Sequence, residues 1–122
     1  MKAVYITEHG NLDVLTYGEL PDPMPGDLDV LIRVRACALN RLDLITRTGA
    51  RGTKLAFDNP HILGGDVSGD IVEVGAQVNW LKSGDRVVVN PKLPCYKCQC
   101  CVVNRPEMCI KPGMIGSTVN GG

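Results

Sequence analysis

Apolar and β-branched residues run along this chain in short stretches, each closed by Gly, Pro, Asn or Asp. That is the pattern of strands, not of long helices. Residues 2–7 (KAVYIT) read as a strand, Gly10 and Asn11 as a turn, and residues 14–20 (VLTYGEL) as its hairpin partner. Residues 21–27 (PDPMPGD) hold three prolines, whose fixed φ and missing N–H exclude regular structure. Val30–Leu39 reads as a long buried strand. Asn40 then reads as an N-cap, with Arg41–Arg47 as a short helix. Residues 48–61 form a polar, glycine-containing connection. Val67–Val74 and Arg86–Val89 are two more strands, the first ended by Gly75 and the second entered through Ser83-Gly84-Asp85. Pro91–Gly113 has no period and reads as a loop. Several strands with little helix predict a mainly β domain, rolled or closed into a barrel, from which that loop protrudes.

Composition narrows the function classes. The chain has 122 residues, enough for one domain with a modest core. Its 13 basic and 13 acidic side chains cancel, and the basic ones do not gather on one segment, so no nucleic-acid partner is expected. No apolar run is long enough to cross a membrane, and the opening MKAVYITEHG lacks the apolar core of a secretory signal. The expected setting is cytoplasmic. Six cysteines then belong to a reducing compartment, where thiols serve metals more than bridges.

Four of those cysteines carry the loudest signal. Cys95, Cys98, Cys101 and Cys109 form C-x2-C-x2-C-x7-C within the unperiodic loop. Thiolates so spaced can wrap a tetrahedral zinc at about 2.3 Å. Disulfides are the weaker reading, because Cys98, Cys100 and Cys101 are too crowded to pair with one another. Lys92, Lys97, Arg105 and Lys111 lie near enough in sequence to soften the charge of a four-thiolate site. A metal with four protein ligands has no open position, so this would be a structural zinc, not a catalytic one. Cys37, in an apolar run, reads as a small core residue, and Cys100 as either a spare thiol or an alternative ligand.

Residues 64–87, GGDVSGDIVEVGAQVNWLKSGDRV, taken with the MKAV opening, the proline-rich segment and the cysteine lobe, resemble the medium-chain dehydrogenase/reductase superfamily. This is the family of zinc-type alcohol dehydrogenases and quinone oxidoreductases, and the resemblance covers essentially the whole chain. It implies a GroES-like β-roll with short helices and a protruding structural zinc lobe at 91–113. The β-roll is joined to a doubly wound nucleotide-binding domain, with NAD(P) in the cleft between them. No G-x-G-x-x-G follows a strand in these residues, so the chain reads as an incomplete catalytic domain, 1–122, without that second domain.

At the catalytic position the chain departs from the alcohol dehydrogenases. Their catalytic zinc takes a cysteine where this sequence has Asn40, and a histidine of Gly-His-Glu where it has Gly64-Gly65-Asp66. The residue matching their proton-relaying hydroxyl is Leu42. The Asn-x-x-Asp pair, Asn40 and Asp43, resembles the quinone and enone reductase branch, which uses a reduced nicotinamide and no catalytic metal. The chemistry is consistent with that. Alkoxide formation calls for a Lewis acid, whereas an oriented amide can stabilise charge on a conjugated oxygen.

Asn40 reads as a helix cap, alone or doubling as an active-site wall. Asp43 could hold the loop, meet a ribose or nicotinamide group, or be a solvated charge. Arg41 reads as a surface cation or as a contact to the cofactor pyrophosphate, and Asp66 as a local partner. His9 and His61 read as surface or loop residues. The resulting expectation is hydride transfer from NAD(P)H to a small quinone- or enone-type carbonyl acceptor. The alternatives are an alcohol dehydrogenase with altered ligands and a non-catalytic zinc-stabilised module. Open strand edges point to a homo-oligomer.

Overall fold

The computed structural model describes all residues, 1–122. It is a mainly β domain of short strands around a thin core. β1 (Lys2–Ile6) pairs antiparallel with β2 (Thr16–Glu19), the expected hairpin, through a connection that includes a 3-10 turn at Leu12–Val14. The other edge of β1 is taken by β4 (His61–Ile62), a two-residue strand inside the stretch read as an irregular connection. A run that short lies below any sequence period. Its partners supply the reason it exists: β1 on one side, and on the other the side chain of Asn120, whose Oδ1 accepts the Ile62 N–H at 3.0 Å.

The second sheet has the order β3–β5–β6, with β3 at Val30–Ala38, β5 at Asp66–Val74 and β6 at Arg86–Val88. β5 is the central strand and alternates as a half-buried strand should, with Val67, Gly69 and Ile71 inward. Gly69 has a packing reason: a Cβ there would lie 2.2 Å from the Arg33 carbonyl oxygen, at the bulged stretch of β3.

β3 corrects the expectation of a buried strand. It is an edge, and from Arg33 onward every residue is exposed. Cys37 is therefore an exposed thiol, not a core residue. The apolar run was read as interior, but from Arg33 onward its side chains are left open on both faces of the sheet. The buried apolar residues are Ile6, Ile62, Val67, Ile71 and Val78, and Thr46 is fully buried as well.

Between β3 and β4 lies α1 (Arg41–Thr48), which starts after Asn40 as expected. It stops at Gly49, whose left-handed φ of 68° favours glycine and whose absent Cβ avoids the His9 ring. The loop at 91–113 is less irregular than its sequence suggests. β7 (Lys92–Leu93) and β8 (Gly113–Met114) pair across its base, and α2 (Gln99–Val102) adds one helical turn inside it. No helix is long and apolar enough to cross a membrane.

Candidate functional site

Two sites named from sequence are assembled, in different ways. The first is at the start of α1. β3 and β5 run antiparallel with Ala38 opposite Asp66, so the end of one strand and the start of the other lie side by side. Asn40, two residues on, reaches across and donates from Nδ2 to Asp66 Oδ2 at 2.8 Å. That contact fixes which end of the amide faces the carboxylate, since its oxygen would be repelled there.

Asp43 is buried, and both of its carboxylate oxygens are occupied. Oδ2 accepts the Asn40 backbone N–H at 2.6 Å, and Oδ1 accepts the Gly64 N–H at 3.1 Å. The first bond is the return arm of a capping box. The second ties the helix to the Gly64-Gly65-Asp66 segment across 21 residues. Of the readings open to Asp43, holding the loop is the one these bonds describe, and the solvated charge is excluded by its burial. Gly65 brings no side chain, and a Cβ there would meet the Ile115 carbonyl oxygen at 3.0 Å. Arg41 is exposed and takes part in none of the ion pairs. Asn40, Asp43 and Asp66 are thus one bonded unit, while Arg41 stands apart from it.

The second site is the cysteine lobe. The Sγ atoms of Cys95, Cys98, Cys101 and Cys109 all lie within 4.8 Å of one another. Cys98 and Cys101 are 3.4 Å apart, and Cys95 and Cys101 are 4.0 Å apart. A tetrahedron with metal–sulfur bonds of about 2.3 Å has edges of about 3.8 Å, so the sulfurs already stand at that spacing. No disulfide joins any of the six cysteines, and Cys100 is outside the cluster.

The surrounding backbone suits thiolates. The Cys98 N–H points at Cys95 Sγ at 3.4 Å and the Cys95 N–H at Cys109 Sγ at 3.3 Å. Backbone groups, that of Ile110 first, draw the Cys98 thiol down to about 6, and that of Lys97 lowers Cys95. Desolvation within the cluster, then the Cys98 sulfur, pushes Cys101 up to about 12. Bare, the four sulfurs cannot all ionise. A soft cation among them removes that conflict, and the donor set fits zinc.

Two residues were underrated from sequence. His61 is buried, and its Nε2 has no partner. His9 is a pin: Nδ1 faces the Thr46 carbonyl at 2.9 Å, and Nε2 accepts the Leu55 N–H at 3.1 Å. Neither is a plain surface residue. The partners of His9 lie 37 and 46 residues away, and no local signal announces them.

Residues 26–122 match the family described as the alcohol dehydrogenase GroES-like domain. The NAD-dependent alcohol dehydrogenase of Sulfolobus acidocaldarius is 28% identical over 125 residues, taking in 100% of this chain and 36% of that protein. A crystal structure of an NAD-dependent alcohol dehydrogenase superposes with a TM-score of 0.90 at 38% identity, covering 99% of this chain and 35% of the other. The cobalt- and zinc-bound thermostable alcohol dehydrogenase from Pyrobaculum aerophilum gives 0.86 at 35% identity, covering 100% and 36%. This chain spans about a third of the length of these relatives.

Proposed function

Because this chain belongs to the alcohol dehydrogenase GroES-like domain family, within the medium-chain dehydrogenase/reductase superfamily, we propose the following activity. Residues 1–122 form the N-terminal catalytic-domain portion of an NAD(P)-dependent oxidoreductase that reduces a small quinone- or enone-type carbonyl acceptor without a catalytic zinc. The observation that carries this reading is the bonded unit at the catalytic position. On the sequence resemblance Asn40 and Gly65 match the positions of zinc ligands in the alcohol dehydrogenases, and the Asn40 amide is committed to Asp66.

The nicotinamide, held mainly by residues outside this chain, supplies the hydride. The chain's own contribution is positional. With one Nδ2 proton on Asp66, Asn40 keeps a second for an acceptor oxygen on which negative charge develops. Asp43 holds the backbone of Asn40 and Gly64 in place and moves no proton. Arg41, exposed and unpaired, is free to meet the cofactor pyrophosphate. Leu42 offers no proton relay of the kind an alcohol substrate needs. The four-cysteine lobe holds a structural zinc through Cys95, Cys98, Cys101 and Cys109. Exposed Val34 on β3 and Val88 on β6 favour a homo-oligomer through the sheet edges.

Zinc counting on the whole protein, paired with an assay of NAD(P)H oxidation by a quinone acceptor, tests the reading. One zinc per chain with turnover supports it. Two zincs and alcohol-dependent reduction of NAD+ would replace it with an alcohol dehydrogenase of altered ligands, the reading that the relatives' names favour. Absence of cofactor binding would leave a zinc-stabilised module.

A further inference from the structure

Residues 53–57 follow the 3-10 turn at Ala50–Gly52 and form no strand or helix of their own. They cross the surface as a strap that is held by a side chain. The Leu55 N–H donates to His9 Nε2 at 3.1 Å, and Phe57 packs edge-on against the same ring, with centroids 4.9 Å apart. The other side of the ring belongs to the end of α1. Nδ1 lies 2.9 Å from the Thr46 carbonyl oxygen and 3.3 Å from that of Arg47. The next residue, Gly10, donates its own N–H to the Arg47 carbonyl at 3.0 Å. A Cβ at Gly49 would stand 2.9 Å from His9 Cγ, so the ring lies against that glycine with little room to turn. His9 therefore ties the strap to α1.

These bonds assign the ring proton. A backbone N–H only donates, so Nε2 must be bare, and a carbonyl only accepts, so Nδ1 must carry the hydrogen. The neutral imidazole with its hydrogen on Nδ1 meets both conditions. In the imidazolium both nitrogens donate, and the Leu55 N–H would face another N–H. The neighbouring charges do not offset this. Arg47 lies on α1, Lys54 in the strap, Asp58 just after it, Glu8 beside the ring in sequence and His61 on β4, and none of them takes part in an ion pair.

We infer that His9 is an acid-sensitive latch: neutral, it holds the strap 53–57 to the end of α1, and on taking up a proton it lets the strap go. Histidine takes up its proton at about pH 5–8. The held strap requires a bare Nε2, so the hold is complete above that transition and is lost as pH falls through it. His61, which faces the strap across a surface depression, acts in the same sense. Burial keeps its ring below the ordinary value, so the folded arrangement is favoured while that ring too is neutral. The latch does not rest on the hydride-transfer reading, because it shares no residue with the Asn40 unit.

Amide hydrogen exchange followed by NMR, corrected for the intrinsic effect of pH, tests this. Protection of the Leu55 amide should fall by about tenfold per pH unit below the midpoint of the His9 ring, in step with that ring's own titration. The Ile71 amide of β5, bonded to the Asp85 carbonyl, should not follow it. The chain has two histidines, so one variant assigns both ring signals. His9→Gln can bring a non-titrating amide oxygen to the place of Nε2 and should make Leu55 protection independent of pH. His9→Asn reaches only to the place of Nδ1 and should leave Leu55 unprotected throughout. The wild-type ring gives a reading that needs no variant: above its midpoint, the nitrogen shifts should place the hydrogen on Nδ1. A hydrogen on Nε2, Leu55 protection that does not follow the ring's titration, or a pH dependence that persists in His9→Gln would overturn the inference.

Discussion

The cysteine lobe and the Asn40 unit are held together by opposite means. The lobe spans residues 95–109, and its order comes from sulfurs close in sequence and backbone N–H groups aimed at them. Its apolar residues are largely outside, with Tyr96 75% and Val102 73% exposed, so little burial supports it. The Asn40 unit spans residues 40–66 and is closed by two hydrogen bonds that reach 21 and 26 residues, one of them to a buried carboxylate. One region depends on an ion, the other on the surrounding fold. Each should therefore fail without taking the other with it.

The largest expected effect is on the lobe. Cys109→Ser, or removal of metal by a chelator, should release residues between about Pro91 and Pro112 to protease while the sheets stay folded. Zinc peptides gain on the order of 10–16 kcal/mol from the metal, far more than this lobe's packing could replace. Limited proteolysis with mass mapping checks it, and global unfolding would show that the two regions fold as one. Asp43→Ala should do the reverse, leaving zinc content unchanged but lowering stability to denaturant by about 3 kcal/mol. It strands the Gly64 and Asn40 N–H groups. Loss of zinc from that variant would collapse the distinction.

A finer contrast lies in the thiols. In metal-free protein, Cys98 should alkylate first, with a midpoint near pH 6, and Cys101 last, since one is drawn down to about 6 and the other pushed up to about 12. The sign follows from the thiolate. Below the Cys98 value the thiol is protonated and unreactive, and reactivity appears as pH rises through it. Mass mapping across pH 5–9 reads the order. The smallest effect is at Tyr96, held at a left-handed φ of 53° within the lobe. Tyr96→Gly should stabilise the zinc-loaded lobe by up to about 1 kcal/mol by removing that strain. An unchanged protease resistance would mean that the lobe already absorbs it.

The same contrast explains what the sequence could tell. The cysteine cluster was legible because its residues lie in one short loop, and spacing alone brings them together. The N-cap at Asn40 and the strand at β5 were legible because both follow local rules of the backbone. The bond of Asp43 to Gly64 and the partners of His9 were hidden, since each is contributed by a segment more than 20 residues away. Strand β4 was missed for the same reason, as its two residues are extended only because β1 and Asn120 hold them. The apolar run of β3 misled in the other direction. Composition marks a residue as able to be buried, but only the sheet order shows that β3 is an edge with Cys37 outside.

The side of β4 away from β1 has a consequence in time. Gly116 lies against Gly64, where a Cβ on Gly116 would come within 2.5 Å of the Gly64 backbone, and the Gly121 N–H is bonded to the Ile62 carbonyl at 2.8 Å. Residues 116–121 leave the ribosome after Ile62 and Gly64, so this crossing cannot close until the cysteine lobe between has been made. Until then β4 has one partner instead of two. Refolding should accelerate when zinc is present from the start, because a formed lobe shortens the chain that must be searched before Gly116 finds Gly64.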